Sequence, residues 1–177
     1  FTRNFVSMLY HVPKEAAIIM FCDQDDIWKP NKISHQVSVL SELVGPAMIC
    51  GRTEIVDAAL EPLGFSPLFK KTPSFENALV QSIAGGNTMA FNREALDLLL
   101  RAAPFSDAII THDWWAYQVL SGSGAVVRYD PTPLVLYRQH SGNLIGVGSS
   151  LRSKARRLKL LFDGIFKEWN DAMTSCI

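Results

Sequence analysis

Apolar and polar positions alternate along this chain in blocks that read as strands and helices in turn. Residues 16–22 form an unbroken apolar run with the length of a strand buried on both faces, and the run stops at three carboxylates, Asp23, Asp25 and Asp26. Upstream, Phe5, Met8 and Leu9 recur at helical spacing, and Pro13 closes a helix over 1–11. Downstream, Ile33, Val37, Leu40 and Val44 make one stripe, which predicts a helix over 30–44 that packs on the sheet and ends at Gly45-Pro46. Residues 47–50 and 53–56 read as strands with Gly51 as a bulge, and 58–73, punctuated by Pro62, Gly64, Pro67 and Pro73, as an irregular loop.

The second half repeats the alternation. Ser74 is a candidate N-cap for a short helix over 75–82, and Asn92 for one over 93–102 with Leu96, Leu99 and Leu100 inward. Between them, Gly85-Gly86 leads into a strand over 88–91, where two residues without Cβ let backbone approach something closely. Thr111 can cap a helix over 112–120; residues 125–129 and 134–137 read as two further strands. Over 151–169 the apolar positions Leu151, Ala155, Leu158, Phe162, Ile165, Phe166 and Trp169 keep helical spacing while Arg152, Lys154, Arg156, Arg157 and Lys159 crowd the other faces. Such a basic amphipathic helix fits packing on the domain first and contact with an anionic membrane surface second.

Alternating strands and helices in 177 residues that are 48% hydrophobic predict one α/β domain with a sizeable core. Seventeen basic and seventeen acidic side chains balance, so no overall field argues for nucleic acid. Cys22, Cys50 and Cys176 show neither a disulfide framework nor zinc spacing, and Cys22 and Cys50 sit in apolar runs where a thiol behaves as a small hydrophobe. With no signal-peptide pattern and no apolar run of about 20 residues, the expected compartment is the cytoplasm.

The candidate chemistry lies at the ends of these elements. Three carboxylates in one tight turn oppose their own joint ionisation, and a hard divalent cation is the natural remedy: Mg²⁺ takes one or two carboxylates plus substrate phosphate oxygens. The plainer reading is a solvated acidic loop capping the next helix. Asp113 falls in the first turn of its helix, where the macrodipole alone explains a negative charge. Trp114 and Trp115 are adjacent and so point apart, one suited to the core and the other to offering a stacking face. Arg138 and His140 leave the last strand together, a guanidinium for phosphate and an imidazole for metal.

Phe-Cys-Asp-Gln-Asp-Asp-Ile-Trp-Lys-Pro-Asn-Lys-Ile at 21–33 closely resembles the metal-binding segment of family 2 glycosyltransferases, especially their bacterial rhamnosyltransferase-like branch. The likeness continues in order at Gly85-Gly86-Asn87-Thr88-Met89-Ala90-Phe91-Asn92, His112-Asp113-Trp114-Trp115 and Tyr137-Arg138-Gln139-His140-Ser141-Gly142-Asn143. The resemblance implies a GT-A nucleotide-diphospho-sugar transferase fold, a Rossmann-like sandwich with a mixed central sheet. It further implies a partial catalytic domain over 1–146, with the basic helix in 147–177, and a first strand and base-binding loops ahead of Phe1. The implied activity is inverting, metal-dependent transfer from a nucleotide-sugar donor such as dTDP-rhamnose to a glycan or lipid-linked acceptor in cell-surface polysaccharide synthesis. Asp113 would be the general base; Asp23, Asp25 and Arg138 would hold the donor; Asp25 and His140 would bind Mg²⁺ or Mn²⁺; and Gly86, Asn87, Trp28, Trp114 and Trp115 would contact sugar or acceptor. The expected place is the cytoplasm, with peripheral contact at the inner membrane face. Two other readings fit the same residues: a nucleotidyltransferase using the same carboxylate-and-metal logic, and a non-catalytic binding module.

Overall fold

A computed structural model describes residues 2–109 and 111–139. Helix α1 (Thr2–Leu9) precedes strand β1 (Ile18–Met20), the acidic turn and β2 (Ile27–Trp28); α2 (Lys32–Ser41) then leads to β3 (Ala47–Gly51), β4 (Glu54–Val56) and β5 (Pro62–Phe65). After α3 (Phe75–Ala78) come a 3-10 turn at Gly86–Thr88, β6 (Ala90–Asn92), α4 (Arg93–Ala102), α5 (His112–Gly122), β7 (Val126–Asp130) and β8 (Val135–Arg138).

The strands form two mixed sheets. One has the order β1-β6-β3-β7, with β6 antiparallel to both neighbours and β3 parallel to β7; the other has the order β2-β8-β4-β5, with β4 parallel to β8 and the outer pairs antiparallel. Three connections cross from the first sheet to the second: β1 to β2, β3 to β4 and β7 to β8. The acidic turn is the first of these crossings, so it lies at the junction of the sheets.

Strand β3 explains why the first sheet is the core. All five of its residues are buried, and the pleat sends them alternately to two faces. Met48 and Cys50 join Phe91, Leu96, Leu99, Trp115 and Tyr117 in the larger cluster, whereas Ala47 and Ile49 join Ala90 and Leu40 of α2. The two predicted caps are present. Ser74 Oγ accepts from the Asn77 amide at 3.2 Å. Asn92 Oδ1 accepts from Ala95 N and Ala47 N, both at 3.0 Å, while its Nδ2 donates to Gly45 O at 2.8 Å. One side chain therefore caps α4 and ties the start of β3 to the end of β6. Asn92→Ala is expected to lower stability by about 2 kcal/mol, a cap plus a buried backbone donor left without its acceptor. An unchanged denaturation midpoint in guanidinium would contradict that role.

Several expectations give way. The acidic strand has three residues, all half-buried, at the edge of its sheet, because only β6 pairs with it among the described residues. Helix α2 is turned away from the expected stripe: Leu40 is buried as expected, but Lys32 and Gln36 are buried with it, while Ile33 is 54% exposed, Val37 39% and Val44 92%. The apolar stripe and the polar pair have the same helical spacing, and the pair wins because both members find internal hydrogen bonds. In α1 the buried positions are Thr2, Val6 and Leu9, and Met8 faces solvent. Gly51 is a regular member of β3, opposite Asp130 in parallel pairing; the register shift falls between Ile55 and Val56 instead. The 58–73 stretch contains β5, paired with β4. Leu100 is only half-buried, and Thr111 makes no side-chain cap bond. The basic segment over 147–177 and His140 lie outside the described residues.

Candidate functional site

Asp26 is the joint of the site. Its Oδ2 accepts a short hydrogen bond from Asn87 Nδ2, and its Oδ1 accepts from the backbone N–H of Arg138 at 3.2 Å. One carboxylate thus joins the turn after β1, the Gly-Asn segment before β6 and the end of β8. A second link runs from the Gly-Asn segment to α5: the Gly86 amide donates to Asp113 Oδ2 at 3.2 Å. The other oxygen, Asp113 Oδ1, accepts from the Trp114 amide at 2.7 Å. Gly86 has to be glycine here. A Cβ would lie 3.1 Å from Cε1 and 3.2 Å from Cδ2 of His112, and closer still to Nε2. That imidazole is buried, stacked on Phe5 at 3.9 Å and edge-on to Phe21 at 5.0 Å.

The electrostatics show the same convergence. Asp23 is pushed up to about 6, first by burial and then by the charges of Asp26, Asp25 and Asp113. Asp113, ninety residues on in sequence, is the last of the charges that raise it. Burial raises Asp26 as well, opposed by its bonds from Asn87 and Arg138. Because Asp23 holds its proton more tightly in the fold than in the unfolded chain, its ionisation above about pH 6 weighs against the folded state. A cation among these carboxylates would reverse that penalty. Oxygen donors in a crowded acidic turn suit Mg²⁺ or Mn²⁺, which need only one or two protein carboxylates. Among the described residues, no group of three or more His, Cys, Asp or Glu side chains is arranged to hold a metal ion by itself.

The remaining candidates are distributed unevenly. Trp28 is half-buried, with its ring face covered by Lys32 Nζ at 4.1 Å. Trp114 and Trp115 are both buried, and Trp114 Nε1 donates to Ala78 O at 2.6 Å. Neither ring presents a free face, so the expected sugar platform is absent from this pair: the start of α5 is enclosed by α1, α3 and α4. Cys22, expected inside, is exposed. Lys32 and His112 stand within the segments that carry the resemblance without an assigned role, and Gln36 was not singled out; the signal for Lys32 and Gln36 was a polar pair at i and i+4 beside the apolar stripe.

No protein-family model matches the chain. Over 172 aligned residues it is 27% identical to the dTDP-rhamnosyl transferase RfbG of Shigella flexneri, a match covering 90% of this chain and 56% of that protein. The chain resembles a glycosyltransferase. It spans little more than half the length of that relative, and its mixed α/β architecture is compatible with such an enzyme. No helix among the described residues is long and apolar enough to cross a membrane.

Proposed function

We propose that these residues carry the metal and acceptor side of a family 2, GT-A-type glycosyltransferase site, which moves a sugar from a nucleotide donor to a hydroxyl acceptor with inversion. The observation that supports it best is the convergence on Asp26: Asn87 and the Arg138 amide both donate to one carboxylate of the acidic turn, and Asp113 is joined to the same segment through Gly86. A loop that merely capped a helix would not need two distant segments fastened to it, with a third tied to one of them.

In this reading Asp113 takes the proton of the acceptor hydroxyl as its oxygen attacks the anomeric carbon, and the bond from that carbon to the diphosphate breaks on the opposite side. Asp113 is oriented for this by two backbone donors, which fix the carboxylate plane. Arg138 pairs with the departing diphosphate, and Asp23 and Asp25 hold the donor ribose and the cation, with His140 as a further ligand. When bound, Mg²⁺ or Mn²⁺ supplies Lewis-acid neutralisation of the charge that develops on the diphosphate. The donor to test first is dTDP-rhamnose, named for the Shigella flexneri relative, and the acceptor is a glycan or a lipid-linked glycan at the inner membrane face.

Calorimetric titration with Mn²⁺ followed by dTDP tests the reading. Asp25→Ala is expected to abolish metal-dependent dTDP binding and to leave the unfolding midpoint nearly unchanged, since a half-buried turn carboxylate contributes little to the core. Equal Mn²⁺ affinity in the variant would remove Asp25 from the metal site.

A further inference from the structure

Lys32 is the one lysine among the described residues that is wholly buried, at 0% exposure. Burying an ammonium is unfavourable unless an anion or several acceptors compensate it. No carboxylate lies within ion-pairing distance of it among the described residues. Its partners are neutral: Gln36 Oε1 at 2.7 Å, Met20 Sδ at 4.0 Å and the face of Trp28 at 4.1 Å. Gln36 passes the contact on, its Nε2 donating to Thr88 O at 2.7 Å. Thr88 Oγ1 in turn donates to Gly85 O at 2.8 Å and accepts from Gly51 N at 3.2 Å.

These contacts close a ring. Trp28 follows Asp26 by two residues, and Thr88 follows Asn87 by one. Asp26 and Asn87 bond each other on one side; Trp28, Lys32, Gln36 and Thr88 connect the same two segments on the other. A buried charge that does no more than fill space would be better replaced by Leu or Met, so an ammonium at this crossing calls for a role.

We propose that Lys32 is a positioning residue for the candidate site, its ammonium holding the Trp28 ring and, through Gln36, the Thr88 carbonyl, so that the acidic turn and the Gly-Asn segment keep their mutual placement. The effect on ligand binding rests on the glycosyltransferase reading; the clamp itself does not. Burial lowers Lys32 to about 8, with Cys22 opposing the shift. Loss of its proton should therefore loosen the Trp28 contact within an accessible pH range. The titratable and charged groups around it are Cys22 at the end of the β1 run, and Arg52 and Asp130, which line the small cavity that Lys32 and Gln36 share with Thr88. Since the folded value lies below that of an unfolded lysine, the fold gains stability as pH rises from about 8 towards about 10.

The test follows Trp28 emission, taken as the difference between the full chain and its Trp28→Phe variant, as pH rises through the titration of Lys32. The expected result is a change with a midpoint of about 8 that survives Cys22→Ser, since that thiol also titrates at alkaline pH. The change should vanish in Lys32→Met. In Lys32→Arg, whose guanidinium stays charged, emission should remain at its low-pH level throughout. A pH-independent signal in the native chain, or a step that persists in either lysine variant, overturns the clamp. If Lys32→Met does not fold, the native and Lys32→Arg titrations still decide. In dTDP titrations with Mn²⁺, Lys32→Arg should bind nearly as the native chain does and Lys32→Met about tenfold more weakly, the usual scale for a residue that orients ligand groups from behind. Native-like binding by Lys32→Met overturns the positioning role. No Mn²⁺ binding by the native chain overturns the metal-dependent glycosyltransferase reading, while the fluorescence still decides the clamp.

Discussion

Asp113→Asn in the native protein is expected to lower sugar transfer by about a hundred- to ten-thousand-fold while donor affinity stays close to normal, because an amide cannot take the acceptor's proton. The geometry adds a smaller, separate effect. Both carboxylate oxygens accept backbone amides, Gly86 N on one side and Trp114 N on the other. Asparagine has one carbonyl oxygen, so its NH₂ must face one of these donors, and about 1 kcal/mol of stability should be lost as well. Steady-state kinetics and an unfolding curve on the same sample separate the two. A fall in stability with transfer near the native rate would leave Asp113 as the anchor of Gly86 and nothing more.

The parts of this arrangement that could be read from sequence are those whose cause is local. Ser74 and Asn92 cap because a short side chain reaches the amide three residues on, and that geometry needs no tertiary context. The three acids after an apolar run mark a strand end for the same reason, and Gly85-Gly86 announced a close approach without naming what approaches. What could not be read depends on distant partners. The inward face of α2 looked settled by Ile33, Val37, Leu40 and Val44, yet only Leu40 is buried, beside Lys32 and Gln36, because Trp28, Met20 and Thr88 supply partners from three other segments. Trp114 and Trp115 point apart as adjacent helical residues must, but α5 is enclosed on several sides, so both directions lead into the core. Strand β5 is carried by Pro62, Leu63, Gly64 and Phe65, whose composition reads as loop, and exists because β4 offers an edge. Of the candidate site, the acidic turn, Asn87, Gly86 and Asp113 were all visible as motifs, but their connection through Asp26 was not, because it joins residues 61 and 112 positions apart.

That connection makes Gly86→Ala the most disruptive small substitution available in the site. The position needs no positive φ, so the strain is steric alone. The new methyl would press on the edge of His112, with Cε1 at 3.1 Å and Cδ2 at 3.2 Å, and the ring has little freedom to retreat. Phe5 covers one face in a nearly parallel stack, and Phe21 meets it edge-on. Forced overpacking of a buried site typically costs about 1–3 kcal/mol, and the upper end is expected where the obstacle is a wedged ring. Relief could come only by moving the 3-10 turn or the start of α5, which would pull Gly86 N away from Asp113 and Asn87 away from Asp26. Loss of stability should therefore come with loss of transfer. A double-mutant cycle with His112→Ala distinguishes this from a general intolerance: removing the ring makes room for the methyl, so the double variant should be more stable than the two single effects summed, by about 1 kcal/mol or more. Strict additivity, or a Gly86→Ala protein that unfolds at the native midpoint, would mean that the imidazole does not bear on Gly86, and the coupling of the Gly-Asn segment to α5 would then rest on Asp113 alone.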